Sequence, residues 1–256
     1  MGDPASIRPL IPRPRLGSSF TVAPSVDRLI RDQGCERAGS LGRDLWLALE
    51  CVPAGATVGE WIQLVVRTEV PSLAPMVRHQ GGSPVLWAGR ALCIGLASYG
   101  SAFFQGAVES LQAADYTGPR NARQLAQYIG LGLEERGFKV HTLVDHQATQ
   151  TAILEHLMVL LDDHDPVHPF ILWCSGLGFG SGEGTRLLTW DAPLSDPGRG
   201  TLDLGFLKAL LMKVPHWVLV LDAAWLVPKG RALDRKVRPD NARPKVRPTG
   251  ATNASC

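Results

Sequence analysis

The sequence predicts an α/β protein whose core is a parallel sheet with crossover helices. Residues 91–228 contain four short apolar runs, rich in leucine and β-branched residues, which alternate with three segments of helical period. Such an alternation is typical of parallel sheets, because a helix must carry the chain back before the next parallel strand can begin. The hydrophobic content of 45% over 256 residues is ample for a core of this kind.

Each element has its own local signal. The four predicted strands lie at residues 91–96, 137–140, 170–174 and 217–222. A helix is predicted over residues 121–136, where apolar side chains stand four apart, and another over residues 150–162, which has one apolar side. Thr149 is the expected N-cap of the second helix, and Gly137 ends the first where a left-handed residue is needed.

The residues before these runs predict a different organisation. Prolines and arginines in residues 1–24 predict a flexible arm, and helix-like apolar spacing predicts a small helical region over residues 25–75. Residues 76–90, which include the stretch GGSP, are predicted to be a linker. The helical region is either an adaptor module or a plain structural appendage.

Residues 229–256 form the last predicted segment, a basic disordered tail. Between residues 229 and 248 eight basic residues stand against two acidic ones, with prolines interleaved and almost nothing apolar. This composition favours a solvated, extended segment. The alternative interpretation is a weak contact with an anionic surface or with nucleic acid.

Composition and spacing argue against several kinds of site. The five cysteines form no CxxC pair, which disfavours a zinc knuckle or a disulfide framework and favours a reducing, cytoplasmic location. Neither a membrane span nor a secretory signal is visible. The glycine-rich residues 176–184 lack the spacing of a nucleotide-binding loop, and residues 185–190 look like a strand. The polar turn at residues 162–168 is expected to be solvated, so neither a metal nor a cofactor is predicted.

Two stretches follow the third and fourth runs, where we expect loops at the carboxyl edge of the sheet. Ligands of open α/β sheets bind at this edge. Residues 175–178 read SGLG and residues 222–225 read DAAW. The first resembles the Ser-Gly-His-Gly stretch of caspase-like peptidases, the superfamily of caspases, metacaspases and paracaspases, and the second resembles their Asp-x-Cys-His stretch. The resemblance extends in order and spacing over about 135 residues, and it implies a caspase-like three-layer sandwich over residues 91–228.

The chain departs from the family at both catalytic positions. Leu177 stands where the family has its histidine, and Ala224 stands where it has its cysteine. A cysteine peptidase needs a thiolate and a nearby base, and neither side chain can supply one. Catalysis is therefore not expected. Cys174 is the one cysteine near the site, but a buried strand cysteine is the usual state of such a residue, and no histidine has a spacing that places it alongside.

The resemblance also implies a binding pocket. In metacaspase-like members the acid at the position of Asp222 helps to line a pocket for a basic side chain, and Asn121 stands where the family commonly has a second acid. An alternative is that Asp222 is structural and bonds to loop amides. The residues expected to bind a peptide are Asp222, Asn121, Ser175, Gly176, Gly178 and Trp225.

The resemblance further implies two strands after residue 222 that the sequence does not provide. The sheet would be incomplete at its C-terminal edge, and the fourth strand would expose an unpaired side. We therefore expect another chain to cover that side, most simply a second copy edge to edge.

Three classes of function follow from these observations. The leading hypothesis is a catalytically inactive caspase-like protein that acts as a protein- or peptide-binding scaffold or as a regulator of an active homologue. The alternative is a residual cysteine-type endopeptidase with a preference for a basic residue before the cleaved bond. The third is a truncated remnant that folds poorly.

Overall fold

A mixed, mostly parallel sheet of eight strands forms the centre of the computed structural model. The structure describes residues 18–23, 41–68, 76–113, 118–181, 184–193 and 200–226. In chain order the strands are β1 (Ser18–Ala23), β2 (Met76–Gln80), β3 (Gly89–Gly95), β4 (Phe138–Val144), β5 (Phe170–Ser181), β6 (Gly184–Leu188), β7 (Thr201–Asp203) and β8 (His216–Leu226).

The strand order is β2-β1-β8-β5-β3-β4, and β6 and β7 extend the sheet from β5. The five strands from β1 to β4 in this order are mutually parallel, whereas β2, β6 and β7 pair antiparallel with their neighbours. The predicted class, an α/β protein with a largely parallel sheet, is confirmed. The strand expected at residues 185–190 is present as β6.

Six helices lie on the two faces of the sheet in the described part of the chain: α1 (Leu41–Cys51), α2 (Val58–Thr68), α3 (Ala102–Ala113), α4 (Gly118–Glu134), α5 (Gln150–Asp162) and α6 (Leu204–Leu211). Side chains of α1, α2 and α4 join one apolar cluster with Trp173 and Val218, and side chains of α3, α5 and α6 join another with Leu172 and Leu219. Successive residues of one strand point to opposite faces, so β5 and β8 contribute to both clusters. The architecture is therefore three-layered.

The predicted helix ends are confirmed at two positions. The Thr149 side chain accepts a hydrogen bond from the backbone N–H of Ala152 at 3.2 Å and caps α5, as expected. Gly137 follows α4 with φ of 78°, a left-handed conformation that glycine adopts without a steric cost. None of the described helices is both long enough and apolar enough to cross a membrane.

The N-terminal region departs from the prediction. Residues expected in a flexible arm form β1, and residues expected in a linker form β2, so both assignments are wrong for these residues. Phe20 and Val22 of β1 are 3% and 0% exposed and lie in the same cluster as α1 and α2. Their period of two is the mark of a half-buried strand, but it spans too few residues to stand out beside the neighbouring prolines.

The expected open side of the fourth predicted strand is covered within the chain. This strand is β8, and β1 pairs with it in parallel from Ser18 opposite His216 to Val22 opposite Val220. The expectation that β8 exposes an unpaired side is therefore wrong, because its partner strand comes from about 200 residues upstream. The argument for an edge-to-edge second copy loses its premise. The predicted basic tail, residues 229–256, lies outside the described residues.

Candidate functional site

The two stretches singled out in the sequence lie side by side at the centre of the sheet. Strands β5 and β8 pair in parallel, and the register sets Ser175 opposite Asp222, Gly176 opposite Ala223, Leu177 opposite Ala224 and Gly178 opposite Trp225. The two positions that resemble a catalytic dyad are thus direct neighbours on adjacent strands. Neighbouring strands are separated by about 4.8 Å, so a histidine and a cysteine at these positions would be close together.

Both stretches are strands, and the expectation of loops is wrong. Strand β5 continues to Ser181 and β8 to Leu226, beyond the residues where loops were expected. The hairpin of β5 with β6 accounts for the difference, because it pairs Gly178 with Leu187 and carries the ladder past the site. Both stretches therefore take part in a sheet ladder through their backbone groups.

The side chains of Leu177 and Ala224 are enclosed in the apolar core. Leu177 is 1% exposed and Ala224 is 6% exposed. A cavity beside them is lined by residues of β3, β5, α5 and the β6–β7 hairpin and has a volume of only about 10 Å³. A cavity needs roughly 10–15 Å³ to hold one water molecule, so a peptide cannot enter without a rearrangement of the hairpin. The lining includes Leu187 and Leu202 of that hairpin.

A tyrosine that sequence reasoning missed holds the centre of the site. The backbone N–H of Leu177 donates a hydrogen bond of 2.7 Å to the hydroxyl of Tyr99, which is itself only 5% exposed. A Cβ at Gly176 would lie 2.8 Å from that hydroxyl, so only glycine fits beside it. Burial raises the pKa of Tyr99, and the phenol stays protonated at neutral pH.

The carboxylate of Asp222 is covered by α1. Asp222 is 8% exposed, and the hydroxyl of Ser175 donates to its Oδ2 at 3.4 Å. A Cβ at Gly42 of α1 would collide with the same oxygen and would lie 3.1 Å from atoms of both Leu125 and Trp173. The start of a helix that was expected in a separate region therefore lies against the carboxylate of the predicted pocket.

Asn121 lies at the same edge of the sheet, on α4. Its side chain is partly buried. The next residue, Ala122, packs so tightly on Gly95 of β3 that a Cβ there would collide with the Ala122 carbonyl oxygen. Gly95 is the register neighbour of Ser175, so α4 crosses the sheet directly above the predicted site. The structure therefore places Asn121 at the carboxyl edge of the sheet, the edge that also holds Asp222. The sequence alone could not determine the distance between these two residues.

The carboxyl edge also holds an acid that organises the backbone. Asp145, which follows β4, accepts hydrogen bonds from the backbone N–H groups of Ala97 and Ser98 at 2.9 and 3.0 Å. Its second oxygen lies 3.5 Å from a guanidinium nitrogen of Arg123. These contacts fix the turn after β3, which positions Tyr99, and they give Asp145 a structural role at the site.

Cys174 is a poor nucleophile in this environment. It is 2% exposed, and burial raises the pKa of its thiol to about 12. The reactive form of a cysteine is the thiolate, which is scarcely populated at neutral pH when the pKa is this high. On β4, the second predicted strand, and in the turn after it, His141 bonds to His156 and His146 is exposed.

The polar turn between α5 and β5 lies at the opposite edge. Asp163 forms an ion pair with Arg90 of β3, and His164 shares a hydrogen bond of 3.0 Å with the carbonyl oxygen of His168. Burial lowers the pKa of His164. Within the described ranges no group of three or more metal-ligating side chains converges, either here or elsewhere.

Comparison with known proteins adds little to this geometry. No protein-family model matches the sequence, and no curated protein matches it. Among solved structures, the crystal structure of protein GSU0716 from Geobacter sulfurreducens matches 52% of this chain over 48% of its own length, with 21% sequence identity and a TM-score of 0.39. A likeness of this extent carries no argument about fold family or function.

Proposed function

We propose that this chain is a catalytically silent relative of the caspase-like peptidases that acts by binding a protein or peptide partner. The observation that carries the proposal is the register of β5 and β8, which sets Leu177 beside Ala224. The positions that correspond to the dyad are adjacent, as a dyad requires, and both carry side chains without a nucleophile or a base. A protein that keeps the two positions adjacent but lacks a nucleophile and a base can still bind a partner.

The surroundings of the two positions support the same proposal. Leu177 packs in an apolar cluster with Leu187 and Leu202, so the space of a dyad has become part of the core. A buried apolar site of this kind stabilises the sheet but gives no charge to a transition state. Residual endopeptidase activity, the alternative function, would have to use Cys174, whose thiol is buried and protonated at neutral pH.

The covered position of Asp222 defines what the partner can be. The backbone of α1 at Gly42 lies against this carboxylate, so a basic side chain that approaches from that side requires α1 to move away. Binding of a basic peptide at Asp222 is therefore coupled to displacement of α1. The apparent affinity is then the intrinsic affinity multiplied by the fraction of molecules in which α1 is displaced. We propose that the partner binds on an outer surface of the scaffold and that the enclosed site serves stability.

Peptidase assays test the proposal directly. Fluorogenic peptides ending in Arg, Lys or Asp are incubated with the natural chain, with and without calcium, beside a Leu177→His, Ala224→Cys variant. We expect no turnover by the natural chain. We also expect none by the double variant, because the cavity excludes a peptide.

The outcomes separate the two functions. Turnover by the natural chain that Cys174→Ser abolishes would refute the silent role and establish the peptidase. Turnover that appears only in the double variant would leave the natural chain silent but would contradict the closed site. A folded state of each variant, checked by circular dichroism, ensures that an inactive result reflects chemistry.

A further inference from the structure

Two histidines that the proposed function does not use face each other across α5 and the edge strand β4. The Nδ1 atoms of His141, on β4, and His156, on α5, are 2.9 Å apart. The rings meet edge to face, with centroids 5.0 Å apart and planes at 76°. One Nδ1 donates a proton and the other accepts it in this arrangement, and when both protons reside on Nε2 both Nδ1 atoms carry a lone pair that a cation can use.

Both imidazoles are held by the fold and remain within reach of solvent. His141 is paired in the sheet opposite Leu92 of β3, and α5 is anchored to the sheet through Ile153 and Leu157, which are fully buried. The two ring side chains are themselves only partly buried. Two ligands from separate, rigid elements are preorganised, so little conformational entropy is lost when an ion binds.

We propose that His141 and His156 form a two-histidine binding site for a divalent transition-metal ion of the Ni²⁺, Cu²⁺ and Zn²⁺ class. Imidazole nitrogen is a preferred ligand of these ions, with metal–nitrogen distances of about 2.0–2.1 Å. Two adjacent nitrogens in a square-planar or octahedral complex are then about 2.9 Å apart, so the observed spacing needs little adjustment. Water completes the coordination, since the described residues offer no third side chain.

The positive charge of Arg90 near the two histidines is partly offset by an ion pair. Arg90 lies on the neighbouring strand, and its guanidinium is paired with the carboxylate of Asp163. A bound ion would tie the outer strand β4 to α5 and stabilise an edge that is otherwise paired only with β3.

Titration calorimetry with NiCl₂ and ZnCl₂ tests the site on the full chain, without a histidine tag and after treatment with a chelator. The variants are His141→Gln and His156→Gln. The matched control is His146→Gln, because His146 is exposed and lies in the turn that follows β4. We expect the natural chain and the control to bind Ni²⁺ equally, and each variant of the pair to lose on the order of tenfold or more in affinity.

A thermal scan with and without Ni²⁺ separates a lost ligand from a lost fold. We expect the unfolding temperature of the natural chain and of the control to rise with Ni²⁺, and that of the folded pair variants to stay unchanged. Equal Ni²⁺ affinity in the natural chain and both pair variants would overturn the proposal, because the ion would then bind elsewhere. Absence of Ni²⁺ and Zn²⁺ binding to the natural chain at millimolar concentration would overturn it as well.

Discussion

The contact between α1 and the buried acid makes Gly42→Ala the most informative substitution in the molecule. In an open helical position alanine is more favourable than glycine by about 0.5–1 kcal/mol, because glycine loses more backbone entropy on folding. At position 42 the new methyl group would instead collide with Oδ2 of Asp222 and lie 3.1 Å from atoms of Leu125 and Trp173. Contacts this close force a shift of the helix or of the carboxylate.

The magnitude follows from the opposition of these two effects. Extra methyl groups in a well-packed core cost roughly 1–3 kcal/mol, and this cost exceeds the gain in helix propensity. We therefore expect Gly42→Ala to reduce the free energy of unfolding by about 1–2 kcal/mol. The matched control is Gly106→Ala in α3, where a Cβ would meet no atom within 4 Å. There the propensity gain is unopposed, and stability should rise by about 0.5–1 kcal/mol.

Urea denaturation monitored by tryptophan fluorescence and by circular dichroism measures both effects. The two glycine variants should shift the midpoint in opposite directions without a change in slope. Gly42→Ala should cost less in an Asp222→Ala background than in the natural chain, since removal of the carboxylate makes room for the methyl group. An unchanged or higher midpoint for Gly42→Ala would refute the reasoning, because α1 would then not cover Asp222.

Three further predictions concern the enclosed site and the turn at the opposite edge. Leu177→Ala should reduce the free energy of unfolding by about 2–5 kcal/mol because it leaves a cavity, whereas Leu131→Ala on α4, where the side chain is 57% exposed, should change it little; equal denaturation midpoints would contradict the burial of Leu177. Tyr99→Phe leaves the buried N–H of Leu177 without its acceptor and should cost about 1–3 kcal/mol, measured in the same way. The folded-state pKa of His164 is lowered, chiefly by burial, so the unfolded chain binds the proton more readily than the folded chain does. The stability that neutral His164 contributes is therefore present above about pH 6.5 and declines as the pH falls through the folded pKa. Denaturation between pH 5 and pH 8 should therefore show a weaker pH dependence in His164→Gln than in the natural chain, and an identical dependence would remove this role of His164.

Several elements could be predicted because their signals are local. The spacing of apolar residues in α4 and α5, the Thr149 cap and the left-handed Gly137 all depend on neighbours within one or two turns. The four runs that became β3, β4, β5 and β8 were visible as short apolar segments. Their ends were less well predicted, since β5 and β8 continue through residues that read as loops and pair with each other as far as Phe179 and Leu226, while β5 also pairs with β6.

The candidate site shows the same division. Sequence spacing placed residues 175–178 and 222–225 at one edge of the sheet, and the register confirms that they are neighbours. The role of Tyr99 and the cover that α1 places on Asp222 carry no sequence signal, because each depends on segments far apart in the chain. The caspase-like relationship stays a hypothesis that the peptidase assays address.

The sequence by itself determined the α/β class, and it showed that Leu177 and Ala224 supply neither a nucleophile nor a base. Hydrophobic period and side-chain identity are properties of the chain alone. The tertiary structure decided where β1 and α1 go, and with them whether β8 is open and whether Asp222 is accessible. It also decided that His141 and His156 meet. The physical reason is that distant segments pair in the register that buries the most apolar surface in the whole sheet. A short window of residues carries no information about that burial.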